Sequence, residues 1–108
     1  MSVSGAEQRI REAALAWSGV TVHPYRFGGV EFRFGKRELG HIHGNSLLDL
    51  PFPMNVRNEL VETGLVQPHH VLPQSGWVSF YIRSGADVEL AIALLKSSYS
   101  LAVLQKKK

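Results

Sequence analysis

The chain has 108 residues, 44% of them hydrophobic and 19% charged, with 12 Lys and Arg, 9 Asp and Glu, 5 His and no Cys. That length and balance fit one globular domain and argue against disorder, and the missing thiols exclude disulfides, thiolate metal sites, Fe–S clusters and a thiol nucleophile. Lys106, Lys107 and Lys108 supply the whole formal excess of +3, so residues 1–105 carry nine basic and nine acidic groups and do not advertise nucleic-acid binding.

Met1–Glu7 has neither a basic n-region nor an apolar h-region, so no secretory leader is expected there, and a cytoplasmic location is the expectation for a cysteine-free chain. No apolar run approaches the ~20 residues of a membrane span. Ser4 and Glu7 have capping-box spacing. Ile10, Ala13, Ala14 and Trp17 then share a helical face, which predicts a helix over about residues 5–17, stopped by Ser18-Gly19. Val20 and Val22 begin a short extended run that breaks at His23-Pro24.

Val30, Phe32 and Phe34 alternate with Glu31 and Arg33 as a half-buried strand. Gly35-Lys36 suits a two-residue hairpin turn, which sets Phe32 opposite Leu39, Arg33 opposite Glu38 and Val30 opposite His41. Gly44-Asn45 closes a second hairpin, with Ile42 against Leu47 and His41 against Leu48. In this register Val30, Phe32, Phe34, Leu39, His41, His43, Leu48 and Leu50 share one face. Glu31, Arg33, Glu38, Ile42, Leu47 and Asp49 share the other. A slip of one residue in the first hairpin would bring Ile42 inward and send His41 out.

Pro51-Phe52-Pro53 ends the meander, and Val56, Leu60 and Val61 stripe a second helix that Gly64 stops. Arg57 reads as part of its solvated side. His69–Leu72 suggests a short extended segment before Pro73. Val78, Phe80 and Ile82 alternate with Trp77, Ser79 and Tyr81 in a clear strand. Ser84 and Asp87 cap a third helix, with Val88, Ala91, Ile92, Leu95 and Tyr99 on one face. The expected fold is therefore α+β: two layers, an antiparallel sheet with helices on one face, in the order α-β(3)-α-β(1-2)-α. Residues 1–105 form the single domain and 106–108 a basic tail.

His41 and His43 lie two apart on one strand and point the same way, about 6.5–7 Å apart at the backbone. With His69 or His70 and Asp49 they make a metal site on paper. The preferred register instead leaves His41 as a hydrogen-bonded, half-buried imidazole and turns Asp49 to the opposite face, so no metal and no cofactor is assigned. Ser75 with His70 and Asp49 invites a nucleophile reading. Pro-Gln-Ser-Gly reads more simply as a turn, and no catalytic residue is assigned. Trp77 and Tyr81, with Ile42 and Leu47, form an apolar set on the nominally open sheet face, which suggests self-association or a partner groove.

The strings Gly35-Lys36-Arg37-Glu38-Leu39-Gly40-His41-Ile42-His43, Leu48-Asp49-Leu50-Pro51-Phe52-Pro53 and His69-His70-Val71-Leu72-Pro73-Gln74-Ser75-Gly76-Trp77-Val78-Ser79-Phe80, with Ser98-Tyr99, resemble the small "luciferase-domain" family of uncharacterised bacterial and fungal proteins. The resemblance covers roughly residues 15–103. The family name implies no light-producing activity, because flavin-dependent luciferases of the bacterial kind use a barrel of ~250 residues that this chain cannot build. More distantly, the element order and the Ser-Tyr helix are similar to the YjbR/MmcQ-like family, which implies a fold of the secretion-chaperone kind.

The leading expectation is a protein-interaction or ligand-binding module without established catalysis. Its binding residues would be His41, His43, His70, Trp77 and Tyr81, and its partner a second copy or another protein. The alternative is a small metal- or His-dependent enzyme working through His41, His43 and His70. A third reading, DNA binding through Arg26, Arg33 and Arg37, follows only from how YjbR/MmcQ-like proteins are labelled.

Overall fold

The computed structural model describes residues 2–25 and 28–106, so Arg26 of the DNA-binding reading and Lys107 and Lys108 of the expected tail lie outside the described residues. Nine elements follow in order: α1 (Ala6–Leu15), β1 (Val20–Pro24), β2 (Val30–Phe34), β3 (Arg37–His43), β4 (Leu47–Pro51), α2 (Met54–Glu62), β5 (Gln67–Pro68), β6 (Trp77–Tyr81) and α3 (Gly85–Lys106). The six strands form one antiparallel sheet in the order β1-β2-β3-β4-β6-β5. The α+β class is as expected, with four strands before α2 where the sequence suggested three.

The extra strand is the Val20–Pro24 run, which pairs along its whole length with β2, Val22 facing Phe32 and Pro24 facing Val30. Pro24 sits at the end of this edge strand, where a missing N–H costs no ladder bond. His69–Leu72 is a loop rather than a strand, and the short β5 lies just before it. The first helix starts differently from its capping-box prediction. Gly5 occupies the N-cap position with φ 79°, and the Glu7 N–H donates to Asn45 Oδ1 at 2.8 Å instead of to Ser4. The Ser84–Asp87 cap does form, with Asp87 Oδ2 accepting from the Arg83 and Ser84 amides at 2.8 and 3.2 Å. Helix α3 runs to Lys106, whose Nζ lies 5.2 Å from the Phe34 ring centre.

Helices α1 and α3 pack on each other and on one face of the sheet, while α2 contacts the sheet through β6. The core between these layers is built from Phe32, Ile42, Leu48, Leu50, Val78 and Phe80 of the strands with Ile10, Ala14, Ala91 and Leu95 of the helices, all buried. Fully burying such side chains contributes about 1.5–3 kcal/mol each. No described helix is long and apolar enough to cross a membrane.

The register of β3 decides what faces away from this core, and it departs from the expected one. The two-residue Gly35-Lys36 turn is present, with Phe34 opposite Arg37 and Arg33 opposite Glu38. A β-bulge then intervenes: Phe32 pairs with Gly40, Glu31 with His41 and Val30 with Ile42, leaving Leu39 as the extra residue. The second turn has three residues, Gly44 to Ser46, so His43 faces Leu47, Ile42 faces Leu48 and His41 faces Asp49. Both irregularities move His41 and His43 out of the core and Ile42 into it. The bulge is held by α3, whose Ser98 hydroxyl donates to the Leu39 carbonyl at 2.8 Å in a buried contact. Gly40 makes it possible: its φ is 154°, and a Cβ there would lie 2.8 Å from the Asp49 carbonyl oxygen.

Candidate functional site

The face of the sheet opposite α1 and α3 carries His41 and His43 from β3, Asp49 from β4, and Trp77 and Ser79 from β6. Because His41 pairs with Asp49 and Asp49 with Ser79, these side chains lie side by side across three strands. The expectation that Asp49 points away from the histidines is thus corrected, and the three-residue Gly44–Ser46 turn, which sets Asp49 opposite His41, is the reason. His69 and His70 arrive from the loop after β5.

Asp49 is the centre of the arrangement and is 0% exposed. Its Oδ1 accepts the Ser79 hydroxyl at 2.7 Å. Its Oδ2 faces four imidazole Nε2 atoms, those of His43 at 3.0 Å, His70 at 3.2 Å, His41 at 3.3 Å and His69 at 3.4 Å. One carboxylate oxygen has about two lone-pair directions to offer, so it cannot accept four good hydrogen bonds. The crowding has the geometry of a ligand set. Donors bound cis to one ion at about 2.1 Å stand about 3.0 Å apart in octahedral and about 3.4 Å apart in tetrahedral coordination. The donor atoms of His41, His43 and Asp49, and those of Asp49, His69 and His70, form two triples that lie within 4.8 Å.

The second ring nitrogen of each histidine separates their roles. His41 Nδ1 lies 2.6 Å from Glu38 Oε2 and donates to that carboxylate, while its Nε2 faces Asp49 Oδ2 at 3.3 Å. A carboxylate behind a histidine in this way is the usual support of a metal ligand. His69 is the reverse. Its Nδ1 accepts the Val71 and Leu72 backbone amides at 3.1 and 3.0 Å, which puts its proton on Nε2, where it donates to Asp49. His69 therefore ties the loop to Asp49 and is not free to ligate through Nε2. His41, His43 and Asp49 remain as one complete triple of donors, while His70 shares its triple with Asp49 and His69.

The electrostatics follow this geometry. Burial disfavours a charged His41, but its bonds to Asp49 and Glu38 and their negative charges outweigh that and raise its pKa from 6.5 to about 9. Burial likewise pushes the Asp49 carboxyl upward, yet the bonds from His41, Ser79, His43 and His70 prevail and hold it well below the ordinary carboxylate range. Burial lowers His69, in keeping with its neutral role as an acceptor at Nδ1.

A cavity of about 450 Å³ opens over these donors, lined by Tyr25, His41, His43, Asp49, His69, His70, Val71 and Leu72. The Tyr25 ring stacks on His41 with centres 3.9 Å apart and planes at 9°. The Tyr25 backbone is tied at both groups, its amide donating to the Gly29 carbonyl at 3.2 Å and its carbonyl accepting the Gly28 amide at 2.9 Å. Gly29, with φ 85°, passes so close to β3 that a Cβ would fall 2.0 Å from the Ile42 carbonyl oxygen.

Of the residues singled out from the sequence, His41, His43 and His70 converge on Asp49. Trp77 lies behind them, its ring centre 5.2 Å from that of His41 and 6.0 Å from that of His69. Tyr81 is farther along β6, opposite Leu47, with Arg83 over its ring at 5.1 Å, and does not line the cavity. The apolar set of Trp77, Tyr81, Ile42 and Leu47 does not exist as such, because Ile42 is 0% exposed in the core. The Ser75 hydroxyl donates to the Leu72 carbonyl at 2.7 Å and accepts the Trp77 amide at 3.1 Å, a turn role. Arg57 does more than face solvent: it reaches from α2 to the Pro73 carbonyl at 2.7 Å and so pins the loop that carries His69 and His70. Glu38, Tyr25 and Ser79 are the participants that sequence reasoning missed. The available signals were Glu38 three residues before His41 and the Gly28-Gly29 pair after Tyr25.

A protein-family model described as "Luciferase domain" matches residues 36–98, more than half of the chain, and the chain belongs to that family. The matched span contains Glu38 and all five residues that converge on Asp49 Oδ2, Asp49 included. Neither the curated proteins nor the solved structures gave a match.

Proposed function

We propose that this member of the Luciferase domain family is a metalloprotein, in which His41, His43 and Asp49 hold one divalent transition-metal ion facing a small-molecule cavity, with His70 at its rim. The observation that carries the reading is the convergence of four imidazole Nε2 atoms 3.0–3.4 Å from one buried carboxylate oxygen. Three further features support it: the Glu38 carboxylate behind His41, the Ser79 hydroxyl that occupies the other oxygen of Asp49, and the half-exposed His43 and His70 as a route of entry. Two imidazoles and one carboxylate favour zinc, iron, nickel or copper(II) over calcium or magnesium, which prefer all-oxygen shells. An ion held this way keeps a coordination position toward the cavity for a ligand or a water, the arrangement of a catalytic rather than a closed structural site.

Protein purified without a polyhistidine tag and titrated with Co²⁺ tests this through the visible absorption of the bound ion. One equivalent is expected to bind, and Zn²⁺ is expected to displace it. His43→Ala and Asp49→Asn each weaken binding by more than about 100-fold while the far-ultraviolet circular dichroism stays that of the wild type. A folded wild-type protein that takes up no stoichiometric Co²⁺, Zn²⁺ or Fe²⁺ at micromolar concentration would sink the reading.

A further inference from the structure

The cavity has two unlike sides. The donors form its floor, and Tyr25, Val71 and Leu72 form its wall and lip. Val71 is 67% and Leu72 52% exposed, which makes Val71 the most exposed large hydrophobic residue among those described. These two are not on a slack loop. Their amides are bonded to His69 Nδ1, the Leu72 carbonyl accepts both the Ser75 amide and the Ser75 hydroxyl, and the Pro73 carbonyl accepts Arg57. Apolar side chains fastened in solvent at the mouth of a cavity are poised to cover an apolar ligand.

The charges narrow the other end of that ligand. No Lys or Arg lines the cavity among the described residues, and the nearby Arg33 is spent on Glu31. Among the described residues, the only positive charge at the floor is then the ion itself, already offset by Asp49 and, through His41, by Glu38. A phosphate dianion would find no second cation there, whereas a carboxylate needs only one oxygen on the ion. The volume, about 450 Å³, lies toward the small end of the ~300–1,000 Å³ usual for ligand pockets.

From this we infer that the site takes a small monocarboxylate with an apolar body, its carboxylate on the metal and its body between Tyr25 and the Val71–Leu72 lip. The inference rests on the metal reading above and adds the ligand class to it.

The test is a titration of the Co²⁺-loaded protein with acetate, hexanoate, octanoate and octyl phosphate, followed by the Co²⁺ absorption bands. Each buried methylene tightens binding about fourfold, so octanoate is expected to bind at least about 30-fold tighter than acetate and to surpass octyl phosphate. The double variant Val71→Ser, Leu72→Ser is expected to lose about tenfold for octanoate, with acetate and Co²⁺ affinities unchanged. If Co²⁺ binds but acetate and octanoate perturb it equally, if octanoate does not perturb it at all, or if octyl phosphate binds tighter, the ligand class is wrong and the metal site stands. If Co²⁺ does not bind, both readings fall together.

Discussion

The strands β3 and β4 carry two faces that are ordered by different physics. On one, Ile42, Leu48 and Leu50 are fully buried beneath α1 and α3 and are fixed by volume and the removal of apolar surface from water. On the other, one residue out of step, His41, His43 and Asp49 are fixed by where their polar atoms point, and two of the three are as deeply buried as the core. Burial alone therefore does not distinguish a core from a site. What separates them is that every atom of the first face is satisfied by contact. The second face concentrates donors on one oxygen that cannot accept them all.

The largest expected effects come from treating the two faces as separable. Ile42→Ala is expected to cost about 2–5 kcal/mol of stability, read from urea denaturation, because it opens a cavity under the helices. The folded fraction should still bind one equivalent of Co²⁺. Loss of binding with the fold intact would mean that the faces are one cooperative unit.

The pH dependence of the metal-free protein sharpens the same contrast, since only the polar face titrates. His41 rises from 6.5 to about 9 on folding, so its contribution is full below pH 6.5 and disappears as pH climbs through about 9. Asp49 falls below its unfolded value of 3.8, so its contribution is present above that pH and is lost as pH drops toward the folded value. His69, lowered by burial, acts against folding below pH 6.5, where the unfolded chain takes up its proton. Stability should therefore decline by on the order of 2–3 kcal/mol between pH 6.5 and 9. Urea denaturation at each pH measures it. His41→Gln should flatten that decline, whereas Ile42→Ala should lower the whole curve and keep its shape. An unchanged decline in His41→Gln would assign the titration to another group.

The core face was largely legible in the sequence because period-two alternation marks Val30, Phe32, Leu48, Leu50, Val78 and Phe80 without reference to any partner. The polar face was legible as residue types but not as a constellation. His41, His43, His70 and Asp49 all drew notice, yet whether they meet depends on the bulge at Leu39 and the third residue of the Gly44–Ser46 turn. Neither leaves a periodic trace. The bulge depends on long-range partners, the Ser98 hydroxyl fifty-nine residues away and the Asp49 backbone against Gly40. The distinction between His69 and His70 was likewise invisible, because it rests on which ring nitrogen two loop amides face. The run from Val20 is legible as extended, but its length is not, because Pro24 reads as a break and only the edge position makes that residue harmless.

The smallest expected effect tests whether hydrogen bonding is what orders the polar face. Glu38 lies just before the bulge, is part-exposed and contributes nothing to the helix-facing core, so its replacement should touch stability only through His41, whose raised pKa it helps to hold. Its one strong link is the 2.6 Å contact to His41 Nδ1. Glu38→Gln keeps an acceptor there and removes the charge, and Glu38→Ala removes both. Loss of such a supporting partner typically weakens metal binding by about 10–100-fold. The glutamine variant is therefore expected near the lower figure and the alanine variant near the upper one, measured by Co²⁺ competition with a chelator of known affinity. The alternative support for His41 is the Tyr25 ring stacked on it at 3.9 Å. If both Glu38 variants bind Co²⁺ within twofold of the wild type and Tyr25→Ala does not, stacking sets the imidazole, and the polar face is ordered by packing just as the apolar one is.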